Sequence, residues 1–327
     1  MYTRRFQSFG FLIRDRDLLI LRELFESRVM KNAHITALFF DGKPEATKKR
    51  LQILKRAGLI SERPRLPFSP SILSLSSSGL SLLKEQGVLA CYPPFDHATL
   101  RRRLQVSELT LRHELSVMNV KVAVIGKFAD TPKASVLEFT TWPALNQFTV
   151  PAPAKRGASV TVKPDGFIRI KEDNAHGKSR INSFFLEVDR SSESQEVLVD
   201  KAMAYVTHFK TGGFAQTQGA HRSAFREFPF RVLMIFLNVE RRDNFAARLL
   251  RLSPPILTQV CLSTLDEVIR DPVGPIWITP SDFRDATKGT RNDQDRDSAP
   301  ATNSIEIRSS SDASSSVVSL APNNPPN

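Results

Sequence analysis

The chain has 327 residues, 41% hydrophobic and 24% charged, which excludes collagen-like, coiled-coil and wholly disordered proteins. Its 46 Lys and Arg against 34 Asp and Glu give a net charge of +12, which predicts attraction to a polyanion such as nucleic acid or to an anionic membrane face. Because no apolar run approaches the ~20 residues of a membrane span and the start lacks a secretory apolar region, we expect a cytoplasmic protein without membrane contact. Two cysteines, Cys91 and Cys261, are too few for a disulfide framework or a zinc site of their own.

The first part of the chain predicts three helices. A leucine-rich stripe with helical spacing follows Asp15, and a short apolar segment at 33–38 follows it. Pro44 is well placed in the first turn of a third, basic helix over 45–57. Gly58 then supplies the left-handed stop that ends this helix.

A hairpin follows the third helix. Extended segments at 61–65 and 71–76 flank a proline-rich turn, and a closing helix is predicted at 78–86. Two helices, a basic helix and a hairpin in this order predict a winged helix-turn-helix domain over residues 10–90.

Basic charge is concentrated in this domain. Residues 1–70 hold 15 Lys and Arg against 7 Asp and Glu. Eight side chains on the third helix and the hairpin are candidates for contacts with phosphates and base edges of DNA. They are Thr47, Lys48, Lys49, Arg50, Gln52, Lys55, Arg63 and Arg65. The alternative is a solvated helix face in a winged helix that binds protein.

A basic linker is predicted at 91–104 and a second domain at 105–284. This domain opens with a long helix over 106–127 that carries His113, which we expect to face the sheet. Strands are predicted at 135–141, 161–170, 182–189, 231–239 and 257–261, and helices at 193–210, 242–252 and 264–270. The order αβββαβ is typical of a nuclease-type mixed sheet. Residues 285–327, rich in Ser, Asn, Asp and Pro, are predicted to be a disordered tail.

Two acidic motifs lie on neighbouring predicted strands. Asp165 stands in Pro-Asp-Gly at one strand, and Glu187 in Phe-Phe-Leu-Glu-Val-Asp-Arg at the next. Carboxylates at adjacent ends of a hairpin supply the oxygen ligands that Mg²⁺ or Mn²⁺ prefers. The pair therefore predicts a metal site for phosphodiester cleavage, in which a nearby lysine stabilises the developing negative charge.

The order of these features resembles the replication-relaxation family of plasmids and integrative elements, over roughly residues 10–280. The resemblance rests on the basic winged helix, the His-bearing helix, the two acidic motifs, a helix with Lys201 and Tyr205 after Glu193, and the Arg-Val-Leu-Met strand at Arg231. The second domain is in turn similar to the PD-(D/E)XK nuclease superfamily, which includes many restriction endonucleases and one class of conjugative DNA relaxases. The resemblance implies a restriction-endonuclease-like fold and a DNA-processing role.

The second motif departs from the superfamily pattern. Lysine is expected two residues after the glutamate, but Asp189 stands there. Lys201 could supply the lysine from the next helix, where Tyr205 shares its face at i, i+4 spacing. Asp189 and Arg190 could equally form a structural ion pair, and Tyr205 is the candidate nucleophile if cleavage is covalent. The candidate catalytic residues are thus Asp165, Glu187, Asp189, Lys201 and Tyr205.

Two functions follow from these patterns. The first is a DNA-binding protein of plasmid or mobile-element replication that nicks or relaxes DNA with Mg²⁺ or Mn²⁺ held by Asp165 and Glu187. The second is a non-enzymatic replication or transcription regulator with a degenerate nuclease fold. Double-stranded DNA is the expected partner in both, and a homodimer and replication or conjugation proteins are further candidates.

Overall fold

The N-terminal part of the chain folds as helices around a small antiparallel sheet. A computed structural model describes residues 12–151, 157–173 and 179–293. The N-terminal elements are α1 (Asp15–Ser27), β1 (Met30–Lys31), α2 (Asn32–Phe39), α3 (Pro44–Arg56), β2 (Ile60–Glu62), β3 (Ile72–Leu75) and α4 (Ser77–Glu85). The three strands pair in the order β1-β3-β2. Every helix and strand predicted in this part is present within a few residues of its expected bounds.

Local chemistry explains these boundaries. Asp15 and Asp17 lie in the first turn of α1, where carboxylates favour the positive end of the helix dipole. Pro44 begins α3, and Gly58 beyond its end has a φ of +68°, as expected of a left-handed stop. The two-residue strand β1 was not predicted because it is too short to show a periodic pattern.

The stretch predicted as a basic linker contains a helix, α5 (His97–Leu104). The Asp96 side chain caps it by accepting a hydrogen bond from the Thr99 amide at 2.7 Å. Leu100, only 3% exposed, packs into the N-terminal core, so this stretch is ordered against the first unit.

The second half is built on a five-stranded sheet in the order β10-β9-β8-β7-β4. Its remaining elements are α6 (Glu108–Ala129), β4 (Ala134–Thr140), α7 (Pro143–Asn146), β5 (Phe148–Pro151), β6 (Ser159–Val162), β7 (Gly166–Asp173), β8 (Ser179–Val188), α8 (Gln195–Lys210), α9 (Gly213–Thr217), a 3-10 turn (Arg222–Glu227), β9 (Phe230–Phe236), α10 (Val239–Leu250), β10 (Val260–Thr264), α11 (Leu265–Arg270) and α12 (Pro280–Asp293). Strands β4, β7 and β8 pair antiparallel, whereas β8, β9 and β10 pair parallel. The protein is therefore of mixed α and β class.

Apolar clusters cover both faces of this sheet. Helices α8 and α10 pack on one face through residues such as Ala202 and Phe245, and the short β5–β6 hairpin lies on the same side. Helices α6 and α11 pack on the other face through residues such as Val120 and Val268. The sheet thus holds the carboxyl end of β8 in a fixed position between two helical layers.

The strand predicted at 161–170 is divided in two. Strand β6 ends at Val162 and pairs with β5, which lies in a stretch where no strand was predicted. Pro164 lacks an amide hydrogen for strand pairing. The Asp165 amide then donates to the Leu186 carbonyl at 3.0 Å, and β7 begins beside β8. The division places Asp165 at a strand entry.

The predicted start of the disordered tail, at 285, is wrong. Helix α12 spans Pro280–Asp293; the Asp282 carboxylate accepts the Thr279 amide at 2.8 Å at its start, and Phe283 packs against the core. The remaining tail residues, 294–327, lie outside the described residues. Among the helices the structure describes, none is long and apolar enough to cross a membrane.

Candidate functional site

Asp165 is fixed at the entry to β7. Its Oδ2 atom accepts a hydrogen bond from the Val188 amide at 2.8 Å, so the carboxylate lies over the end of β8. The side chain is 18% exposed. It can therefore be approached from solvent while its orientation is set by the backbone of the neighbouring strand.

His113 lies against this carboxylate. Its Nε2 atom is 3.1 Å from Asp165 Oδ2, and the residue is carried by α6 on the face that meets the sheet. Burial opposes protonation of the imidazole, but the hydrogen bond and charge of Asp165 outweigh it and raise the pKa of His113 to about 9. At neutral pH a charged imidazolium therefore donates to Asp165.

Glu187, on β8, is 2% exposed. The Tyr205 hydroxyl donates to its Oε1 at 2.6 Å, and the Lys201 ammonium donates to its Oε2 at 3.2 Å. Burial raises the pKa of Glu187 to about 7, and the charge of Asp165 adds to the effect despite the opposing charge of Lys201. The two carboxylates thus influence each other electrostatically.

Lys201 connects this pair to a third carboxylate. Its Nζ atom lies 3.1 Å from Glu193 Oε2 as well as 3.2 Å from Glu187, and its side chain is 25% exposed. Burial lowers the pKa of Lys201, but the charges of Glu187, Asp165 and Glu193 raise it further than burial lowers it. The ammonium group therefore stays charged beside the acidic pair.

Asp189, predicted from the sequence as a catalytic residue, pairs with Arg241 and does not join this cluster. Arg241 on α10 binds both of its oxygens, with Nη2 to Oδ1 at 3.1 Å, and the Ser191 amide donates to Oδ1 at 3.0 Å. The residue is 6% exposed. Among the described contacts, the expected ion pair of Asp189 with Arg190 is not found; Arg190 donates to the Ser116 hydroxyl at 2.8 Å instead.

Tyr205 is brought to the cluster but not as an accessible nucleophile. Its side chain is 0% exposed and packs against Phe148 and Phe185. Burial and the charge of Glu187 raise its pKa well above the ordinary value. The prediction of Tyr205 as a nucleophile therefore does not fit this geometry, and the hydroxyl orients Glu187 instead.

The acidic pair fits a divalent cation only in part. Asp165 and Glu187 offer carboxylate oxygens of the kind that Mg²⁺ and Mn²⁺ prefer, and water and a phosphate oxygen could complete such a shell. Within residues 12–151, 157–173 and 179–293, no three His, Cys, Asp or Glu side chains come together in a group that could hold an ion. Among the described residues, two carboxylates rather than a closed cage are thus available to such an ion.

Two of the predicted DNA contacts on α3 face inward, which corrects their expected placement. Thr47 is 1% exposed and its hydroxyl donates to the Lys43 carbonyl at 2.9 Å. Arg50 forms an ion pair with the buried Asp17, with Nε to Oδ1 at 2.7 Å, and also donates to the Leu12 carbonyl. Helical spacing places both residues on the polar side of α3 and does not show that their side chains contact the protein interior.

The other candidates on α3 and the hairpin lie on the surface. Lys48, Lys49 and Gln52 are exposed, and Arg63 is half-buried. Lys55 and Arg65 both pair with Glu62 at the end of β2, and hydrogen bonds led by that of Lys55 lower the pKa of Glu62 to about 2. These pairs connect the third helix to the hairpin.

Sequence reasoning missed Arg241 and the partners of Glu114. Arg241 pairs with Asp189 from 52 positions away, a distance at which no local pattern indicates contact. Glu114, beside His113, lies 3.3 Å from Arg28 of the N-terminal unit. The cluster is therefore connected to both halves of the chain.

A model of one protein family, described as replication-relaxation, matches residues 21–222, more than half of the chain and all of the acidic cluster. The chain belongs to the replication-relaxation family. This membership points to a role in replication. Neither the curated proteins nor the solved structures contain a match to the chain.

Proposed function

We propose that this member of the replication-relaxation family binds duplex DNA through an N-terminal winged helix and cuts or relaxes it through a PD-(D/E)XK nuclease-like domain. The single observation that carries the proposal is the convergence of Asp165, Glu187 and Lys201 at one end of the β7–β8 pair. The order α6-β4-β7-β8-α8-β9 supports it, because it repeats the αβββαβ order of that superfamily.

The chemistry follows from the charges of the cluster. A divalent ion bound by Asp165 and Glu187 would polarise the phosphate and lower the pKa of an attacking water. Lys201 remains an ammonium beside Glu187, where it would stabilise negative charge that develops on the phosphate. His113 and Tyr205 are positioning residues, since each holds one of the carboxylates by a hydrogen bond.

Lys201 also accounts for the departure at Asp189. The superfamily lysine follows the glutamate along the strand, whereas here an ammonium reaches Glu187 from α8 at 3.2 Å. In this proposal Asp189 has a different task. It anchors the end of β8 to α10 through Arg241.

The second candidate is a DNA-binding regulator without cleavage. The regulator is favoured by the ion pairs of the cluster, because His113 already pairs with Asp165 and Lys201 already pairs with Glu187. Each of the two carboxylates then has a cationic partner within the chain, so the regulator requires no metal ion to balance their charge. The two candidates therefore differ in one measurable property, which is the response to Mg²⁺ or Mn²⁺.

Conversion of supercoiled plasmid to nicked or relaxed circles tests the choice between them. We expect activity with Mg²⁺ or Mn²⁺ in wild type, a loss of at least about 100-fold in Asp165→Ala, and a comparable loss in Lys201→Ala, because each removes a group acting on the reacting phosphate. Asp243→Ala, which removes a carboxylate on α10 that pairs with Arg242, is the matched control.

Thermal melting of the same proteins separates lost chemistry from lost folding. Metal should raise the melting temperature of wild type and Lys201→Ala but not of Asp165→Ala, because only the last lacks a ligand. No cleavage, together with an equal metal response in wild type and Asp165→Ala, would decide for the regulator.

A further inference from the structure

The loop between β2 and β3, which we call the wing tip (residues 63–71), presents two large apolar side chains to solvent. Phe68 is 104% exposed and Leu66 is 76% exposed, the highest values among the exposed large apolar side chains of the part of the chain that the structure describes. Such exposure costs free energy in water and contributes no packing to the fold. The pair therefore suits contact with a partner.

The wing tip has a defined shape. Pro64, Pro67 and Pro70 restrict its backbone, and the Ser69 amide donates to the Leu66 carbonyl at 3.2 Å. The Arg65 guanidinium donates to the Ser69 carbonyl at 2.8 Å, which closes the base of the turn. Ordering of the turn before binding lowers the entropy lost when it meets a partner.

Phe68 occupies an unusual backbone conformation. Its φ is +66°, in the left-handed region that bulky residues rarely adopt. The conformation holds the ring away from the body of the domain. Neither the strain nor the exposure of this ring benefits the fold, so both point to a role outside it.

We propose that Phe68, assisted by Leu66, is a wedge that inserts between base pairs of duplex DNA from the minor groove. The inference rests on the proposed DNA-binding function of the N-terminal unit. Apolar side chains of this kind unstack a base step and kink the duplex by about 20–90°. The proposed ligand of the wing tip is therefore a partly unstacked DNA duplex.

The charges near the wing tip favour DNA over a protein partner. Arg63 and Arg65 belong to the wing tip itself, and Lys55 pairs with Glu62, which ties the basic helix α3 to the hairpin. An apolar tip beside a basic helix can insert while the basic side chains neutralise phosphates. A purely apolar protein surface offers no anionic groups to pair with this positive charge, whereas the DNA backbone carries one on every phosphate.

Bending of a mixed-sequence duplex of about 30 base pairs, labelled at both ends for energy transfer, tests the wedge. The measurement is made in EDTA with the full chain, so that no cleavage interferes. We expect wild type to shorten the end-to-end distance. Phe68→Ala should abolish this shortening and weaken binding about tenfold, with an unchanged slope of log K against log salt, because the lost contact is apolar.

Matched variants make each outcome decisive. Phe68→Trp should keep the bend, and Leu137→Ala, which removes an exposed apolar side chain from β4, should leave bend and affinity as in wild type.

A bend and an affinity that survive Phe68→Ala would overturn the wedge while leaving DNA binding intact. If wild type showed no salt-dependent binding at all, the proposed DNA-binding function would fail with it. A change only in self-association of Phe68→Ala, measured by sedimentation, would assign the tip to a protein contact and also overturn the wedge.

Discussion

Two titrating side chains in the acidic cluster hold their protons more tightly in the folded chain than in an unfolded one. The pKa of Glu187 rises from 4.5 to about 7, chiefly by burial. The pKa of His113 rises from 6.5 to about 9, since the hydrogen bond and charge of Asp165 outweigh burial. In both cases the folded state binds more protons than the unfolded chain at pH values between the unfolded and the folded pKa. The free energy of unfolding therefore falls as the pH rises through that range.

The consequence for His113 can be measured with one substitution. Its stabilising pair with Asp165 is fully present below pH 6.5 and is lost as the pH rises through about 9. We expect wild type to exceed His113→Gln by on the order of 1–3 kcal/mol in free energy of unfolding at pH 6, and the difference to disappear above pH 9. Denaturant unfolding at several pH values measures it.

His97→Gln is the matched control, because it removes an exposed histidine from α5 without touching the cluster. A difference between wild type and His113→Gln that stayed constant from pH 6 to 10 would contradict the charged His113–Asp165 pair.

At the scale of elements, helix α3 has two polar sides with different tasks. Arg50 pairs with the buried Asp17, whereas Lys48 and Lys49 lie in solvent. Loss of one partner of a buried ion pair leaves the other charge desolvated and unpaired. Alanine substitution should therefore lower stability at Arg50 and weaken DNA binding at Lys48 and Lys49.

Alanine substitutions on α3 test this division. Arg50→Ala should lower the free energy of unfolding by about 3–5 kcal/mol, because Asp17 loses its partner. Lys48→Ala and Lys49→Ala should leave stability within about 0.5 kcal/mol and each reduce the slope of log K against log salt for duplex DNA by roughly one unit. Denaturant titration and filter binding measure the two effects, and an unchanged salt slope in the lysine variants would remove α3 from the DNA interface.

How far the sequence predicts the fold also depends on the element. Periodic helices such as α1 and α3 were predicted, because their apolar stripes and end residues are local signals. Short or interrupted elements were not predicted, since α5 lies in a basic stretch and β5 in a segment with prolines.

For the site, the sequence predicts Asp165, Glu187 and Lys201, because strand order and helix spacing place them close together. The structure brings these three together. The pairing of Asp189 with Arg241 and the burial of Tyr205 depend on how α8 and α10 pack on the sheet. No spacing along the chain encodes that packing.

Over the whole molecule, helix α6 belongs to two packed units at once. One side carries Val117 and Val120 into the sheet, and Met118 enters the N-terminal core. Polar contacts also join α6 to the N-terminal unit along this boundary, which we call the seam. Lys121 lies 2.5 Å from Glu23, and His34 lies 2.8 Å from Asn119. Both partners of the lysine pair are almost fully buried, at 4% and 8% side-chain exposure.

This seam predicts that the two units unfold together. Lys121→Ala should cost about 3–5 kcal/mol, since it leaves Glu23 buried without its cation, whereas the double variant Glu23→Leu/Lys121→Leu should be near neutral or more stable. Denaturation followed by the fluorescence of Trp142 and Trp277, which lie in different apolar clusters, should give one coincident transition. Separate midpoints for the two tryptophans would show that the seam does not couple the units.

The shared helix also constrains how such a protein can exchange parts by recombination. A crossover within 91–104 would give α6 a foreign N-terminal partner and separate Glu23 from Lys121, and Arg28 from Glu114. A hybrid of that kind inherits unpaired charges at the seam. On the proposed DNA-binding function, we therefore expect lineages with this architecture to change their DNA target through point substitutions at exposed positions of α3 and the wing tip, and to inherit α6 together with the N-terminal unit.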